Sequence, residues 1–170
     1  MINEDFEKFN NDFEKAIYDN YKTWENFEPE KFIEGMHPYF PNRINSEWVY
    51  PPKPTVHAMY FFGELKKKLS NLITGFEMAL EVCVKTDVES VVFIDIAVWY
   101  GDEKHAIEVH GDTKKIEDID KKTESIEPYG WIVHHVFNSQ IEDEKWFETV
   151  LNGITASIVK PKEGNLKEII

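Results

Sequence analysis

The chain has 170 residues, 42% of them hydrophobic and 14% aromatic, and carries a formal net charge of −13 at pH 7. The length fits one domain, 1–170, and the hydrophobicity excludes an intrinsically disordered chain. No apolar run approaches the roughly 20 residues of a membrane helix. The acidic start, Met1 to Asp5, lacks the basic and apolar parts of a secretory leader, so a cytoplasmic protein is expected.

Residues 1–36 read as a helical segment. Phe6, Phe9, Phe13, Ile17, Tyr21, Trp24 and Phe27 recur every three or four residues, which is one face of an amphipathic helix. Asn3 suits its N-cap, and Glu4 and Asp5 suit its first turn. Pro29 suits the start of a short second helix to Met36. Residues 37–55 hold Pro38, Pro41, Pro51, Pro52 and Pro54 with Tyr39, Phe40, Trp48 and Tyr50 among them. This predicts an ordered loop over the core, not a flexible linker.

Residues 56–138 read as mainly β. Val56 to Phe62 reads as a strand or extended piece, and Glu64 to Thr74 as a helix with Leu65, Leu69, Leu72 and Ile73 on one side. In the strand Phe76 to Lys85, the alternation puts Phe76, Met78, Leu80, Val82 and Val84 on one face. In Ser90 to Tyr100, Val92, Ile94, Ile96 and Val98 share a face. A turn at Gly101-Asp102-Glu103 leads to a third strand, His105 to His110. Asp112 to Pro128 is a polar loop or short helix with Ile116 and Ile119 as anchors, and Trp131 to Phe137 is a fourth strand. Residues 139–153 form a last helix, with Ser139 and Glu142 as a capping box, Trp146, Phe147, Val150 and Leu151 as its buried stripe, and Gly153 as its C-cap. Residues 161–170 are expected to fray. The fold class expected is α+β: an antiparallel meander of four or more strands, with the N-terminal and C-terminal helices packed on one face.

Known catalytic strings are absent: there is no glycine-rich phosphate loop, no G-x-S-x-G elbow and no H-E-x-x-H pair. Cys83, the single cysteine, reads as a small buried hydrophobe and permits neither an internal disulfide nor a cysteine zinc cage. No cofactor or metal is expected from the motifs. Six histidines stand at 37, 57, 105, 110, 134 and 135; the last two are adjacent in a strand, so one faces inward and needs a partner.

Asp95 is out of place in its apolar strand. A first hairpin turning about Val88 sets it opposite Glu81. A second hairpin with a two-residue loop at Asp102-Glu103 sets it opposite His110, and Glu108 opposite Ala97. Asp95, Glu81, Glu108 and His110 are therefore the catalytic candidates. The ordinary reading of this face is the wet side of a sheet. The sharper one is a cleft for acid–base work or a divalent cation.

The acidity is concentrated at residues 1–30, 102–127 and 141–149. Such a field repels nucleic acid and attracts a basic partner. The expected function is thus an acidic protein-binding module, such as an immunity protein or antitoxin that neutralises a basic, nuclease-type toxin, with binding favoured over catalysis and the enzyme question left open. Its contact residues would be Asp112, Glu117, Asp118, Asp120, Glu124, Glu127, Glu142, Asp143 and Glu144. The alternatives are a small enzyme or ligand-binding domain using the carboxylate and histidine cluster, and a DNA mimic. The sequence names neither the partner nor an oligomeric state.

Overall fold

The computed structural model describes residues 1–12, 54–86 and 91–160. The expected helix Pro29–Met36, nearly all of the proline-rich loop, the later part of the N-terminal stripe and the tail 161–170 lie outside the described residues.

Helix α1 spans residues 4–12 of the described chain. Asn3 caps it as expected: its Oδ1 accepts from the Phe6 N–H at 3.1 Å, while its Nδ2 donates to the Ile141 carbonyl at 2.9 Å. One buried side chain thus ties the N-terminus to the far end of the sequence. Phe6 packs against His57 at a tilt and against Tyr60 edge-on.

Helix α2 spans Val56–Leu72, so the strand expected at Val56 to Phe62 is a correction. The aromatic and β-branched composition of that stretch resembles a strand. Its buried residues, Ala58, Phe61, Leu65 and Leu69, follow the helical spacing, and packing overrides propensity. Thr55 supplies the start, its hydroxyl accepting from the Ala58 N–H at 3.2 Å. Thr55→Ala is expected to lower stability by about 1 kcal/mol in urea denaturation, the usual worth of such a cap. An unchanged midpoint would mean that the cap is redundant with packing.

Strands β1 (Phe76–Lys85), β2 (Val91–Tyr100) and β3 (Glu103–His110) form an antiparallel meander. Gly101, with φ 62°, opens the two-residue loop Gly101-Asp102 between Tyr100 and its partner Glu103. The chain then forms helix α3 (Ile116–Ile126), a 3₁₀ turn (Glu127–Tyr129) and β4 (Trp131–Phe137). β4 lies beside β3 but parallel to it, so the purely antiparallel meander is corrected at its last strand. A parallel neighbour needs a crossover of a dozen or more residues, and the segment carrying α3 provides it. Within that helix Ile119 and Ile126 are buried, whereas Ile116, an expected anchor, is exposed.

The C-terminal helix differs from expectation in both its cap and its length. A short helix α4 (Asn138–Glu142) breaks at Asp143, and α5 runs from Glu144 to Val159. Asp143 caps α5, its Oδ1 accepting from the N–H groups of Lys145 and Trp146 at 3.0 Å each. Gly153 lies inside α5 and not at its end, because the buried stripe Phe147, Leu151, Ile154 and Ile158 continues past it. Trp146, expected in that stripe, is exposed.

Two apolar cores result. One joins Phe6, Phe61, Leu65, Phe147, Leu151 and Ile158 with Ile96, Val98, Ile107 and Val136 of the sheet. The other joins Ile126 and Trp131 with Val82, Val84, Ile94, Ala97 and Ala106. Neighbouring strand residues point to opposite faces. Ile96 and Ala97 fall in different cores, as do Ala106 and Ile107, so the cores lie on opposite faces of the sheet. Among the described residues no helix is long and apolar enough to cross a membrane.

Candidate functional site

The expected single faces of β1 and β2 are both broken. Met78 and Leu80 pack against the first core, but Val82 and Val84 belong to the second. Ile96 and Val98 belong to the first, but Ile94 belongs to the second. The switch falls between these positions, at Glu81 and Asp95. The β1–β2 ladder has the expected register, pairing Phe76 with Tyr100 and Leu80 with Ile96, then passes over Glu81 and Asp95 and resumes at Val82 and Ile94. Glu81 has φ 50°, the one positive value among the described non-glycine residues. A left-handed residue in a strand rotates the pleat, and everything after it changes face.

The β2–β3 register also differs from expectation. The loop is Gly101-Asp102, so Ala97 pairs with Ala106 and Ile96 with Ile107, where the ladder ends. Asp95 therefore stands at the level of Glu108 and not of His110. Its Oδ2 accepts from the Val109 N–H at 2.8 Å, taking a backbone hydrogen where the ladder stops. Of the four catalytic candidates, the structure gathers Glu81, Asp95 and Glu108. It sets His110 two residues further along β3, paired with His135 instead.

This cluster is covered. Glu108 is 1% exposed and Glu81 is 5% exposed. Lys122, from α3, makes an ion pair with Glu108. Glu81 Oε2 and Glu108 Oε1 are buried without a hydrogen-bond partner. Burial and the nearby charge of Asp95 push the Glu81 carboxyl up to about 8, against the pull of Lys122. The same two causes raise Glu108. Burial pulls Lys122 down, but Glu108, Asp95 and Glu81 together outweigh it and raise its pKa. One ammonium thus faces three carboxyl groups, an arrangement with an excess of acceptors and an electrostatic demand for a further cation or proton.

Sequence reasoning missed Lys122. The signal was present: Ile119 and Ile126 are seven apart, and Lys122 and Thr123 fall between them on the same helical face. It also underestimated the histidines, since both His134 and His135 have partners. His110 Nε2 lies 2.9 Å from His135 Nδ1, and His135 Nε2 lies 3.1 Å from the Thr123 hydroxyl. On the other face His105 Nδ1 lies 3.0 Å from His134 Nε2, with Glu103 3.1 Å from His105 Nε2. Burial lowers all four, His110 and His134 to about 4, so they are neutral imidazoles at pH 7. Cys83 is buried, as expected.

The nine surface acids are dispersed. Asp112, Glu117, Asp118, Asp120, Glu124 and Glu127 are exposed on or beside α3. Glu142 is engaged with His57 at 2.8 Å, Asp143 with the Met1 amine at 2.9 Å, and Glu144 begins α5.

No family model matches the chain, and no curated protein matches it. Among solved structures, the crystal structure of a protein of unknown function, AF1548, is similar at TM-score 0.35 and 17% identity, over 65% of this chain and 76% of that one.

Proposed function

We propose that the chain is a hydrolytic enzyme acting on a phosphate ester with a divalent cation held at Asp95 and Glu108. The observation that supports this is the covered cluster itself: carboxylates from three strands meet at a break in the sheet, with carboxyl oxygens buried and unpartnered. Buried acceptors of this kind call for a ligand. Among the described residues no three His, Cys, Asp or Glu side chains form a ready cage. Mg²⁺ does not need one, since it keeps most of its waters and binds through one or two carboxylates plus substrate phosphate. When bound, the ion polarises a phosphoryl oxygen and acidifies its water. Lys122, held over the cluster by Glu108, supplies a point charge for the remaining phosphate oxygens. Glu81, whose burial favours its protonated form, is placed to serve as a proton donor beside them. A cytoplasmic setting suits the lone buried Cys83.

Titration calorimetry with Mg²⁺ and Mn²⁺, alongside hydrolysis of bis(4-nitrophenyl) phosphate and 4-nitrophenyl phosphate, tests the reading. One binding event and turnover of one ester are expected in the wild type. Asp95→Asn and Glu108→Gln should lose both by at least about 100-fold while remaining folded. Absence of ion binding in the wild type, or binding that survives both substitutions, would overturn it.

The acidic inhibitor remains a second reading, supported by the exposed acids Glu117, Asp118, Asp120 and Glu124 of α3. Capture of a basic protein partner that weakens steeply with salt would favour it over the enzyme.

A further inference from the structure

The hydrogen bonds around His110 have a direction that follows from counting hydrogens. The Thr123 hydroxyl donates its single hydrogen to the Ile119 carbonyl at 3.0 Å. It can therefore only accept from His135, so the His135 proton is on Nε2. In a neutral ring His135 Nδ1 is then a bare acceptor, and the hydrogen in the 2.9 Å bond between the rings belongs to His110 Nε2. That leaves His110 Nδ1 as a lone pair. It is buried in a residue 1% exposed, and it has no partner.

The second histidine pair is ordered in the same way from a carboxylate. The Glu103 carboxylate accepts from His105 Nε2, which leaves His105 Nδ1 to accept from His134 Nε2. That chain lies on the other side of β3, because His105 and Ile107 are odd-numbered positions and Glu108 and His110 are even. Only the His110 chain shares a face with the carboxylate cluster, and α3 builds both: Lys122 reaches Glu108, and the next residue, Thr123, anchors His135.

We propose that His110 is a further catalytic residue of this site: its Nδ1 lone pair accepts a hydrogen bond from the attacking water and takes its proton as the water oxygen bonds to phosphorus, while the P–O bond to the leaving alcohol breaks and Glu81 gives that oxygen a proton, with His135 and Thr123 as positioning residues that hold His110 in the required tautomer. This rests on the phosphate-ester reading of the site. A buried acceptor with a fixed lone pair orients a donor without itself reorganising, because the hydrogen bond at its far side already holds the ring in place. Thr123 is the end stop of the chain. Without its oxygen, nothing distinguishes the two tautomers of His135.

Nitrogen-15 spectra of the histidine rings test the tautomers, and steady-state kinetics test the role. The wild type is expected to show His110 protonated at Nε2 and bare at Nδ1, with His135 protonated at Nε2. Thr123→Val should scramble both tautomers and lower kcat by about 10–100-fold at unchanged KM and unchanged Mg²⁺ affinity. Thr123→Ser should restore both spectrum and rate. His110 protonated at Nδ1 in the wild type, or a Thr123→Val enzyme with scrambled tautomers and full kcat, would overturn the proposal. Failure of the underlying reading is distinguishable: Mg²⁺ would then not bind and no ester would turn over, whatever the ring spectra show.

Discussion

Lys122→Met is expected to lower stability by about 3 kcal/mol at pH 8, and by clearly less at pH 5. Lys122 is the cation in a pocket of three carboxyl groups, and removing it leaves Glu108 buried beside Asp95 with nothing opposing the repulsion. The folded chain escapes by keeping a proton on Glu108, whose pKa is already raised and rises further without the ammonium. A carboxyl with a raised folded pKa binds its proton more tightly folded than unfolded, so the deficit is small at low pH and grows as pH rises. Glu108→Gln in the same background removes the charge that Lys122 answered. The double variant should recover most of the loss, as replacement of both members of a buried pair often does. Urea denaturation of both variants at the two pH values measures this. Equal losses at pH 5 and pH 8, or a double variant as unstable as Lys122→Met, would show that Lys122 acts by packing alone.

Glu81→Gln should have the opposite sign. Glu81 has its folded pKa raised to about 8 from the ordinary value of 4.5, chiefly by burial. Its stabilising contribution is complete below the unfolded value and disappears as pH rises through the folded one. Wild type and Glu81→Gln should therefore be similar at pH 4, and the variant should be more stable by about 3 kcal/mol at pH 9. The histidines oppose this trend over a lower window. His110 and His134 are depressed to about 4 from 6.5, so the wild type also loses stability as pH falls through that range. The two windows overlap between about pH 4.5 and 6.5, where the trends oppose each other, and above that range only the carboxyl losses continue. If the two proteins diverge at pH 4 as they do at pH 9, the cause is the packing and hydrogen bonding of the side-chain amide and not protonation.

The strands were the most legible part of the chain. Alternation located β1 and β2 and set Phe76 against Tyr100, and the turn glycine located β3. Direction was not legible, because a strand such as Trp131–Phe137 has the same period whether it runs parallel or antiparallel to its neighbour. The helix at Val56 was hidden by residues that favour strands in isolation, and only the packing partners of Phe61 and Leu65 decide it. For the site, Glu81, Asp95 and Glu108 were found because acids interrupt apolar runs. The route to them assumed an unbroken pleat. A positive φ at a glutamate leaves no mark in the sequence, unlike one at a glycine, so the change of face at Glu81 could not be read. The one-residue shift of the β2–β3 loop, from Asp102-Glu103 to Gly101-Asp102, moves the register by two residues and so preserves parity, which is why Glu108 and Asp95 still came out on one face.

The change of face at Glu81 and Asp95 also bears on how the domain comes apart. Both strands of the first hairpin serve both cores, with Met78, Leu80, Ile96 and Val98 on one and Val82, Val84, Ile94 and Ala97 on the other. Neither helical layer can detach without stripping apolar support from both strands that the other layer holds. Partial opening is therefore costly on either side, and the hairpin forms a common keel that makes loss of the two layers a single cooperative event.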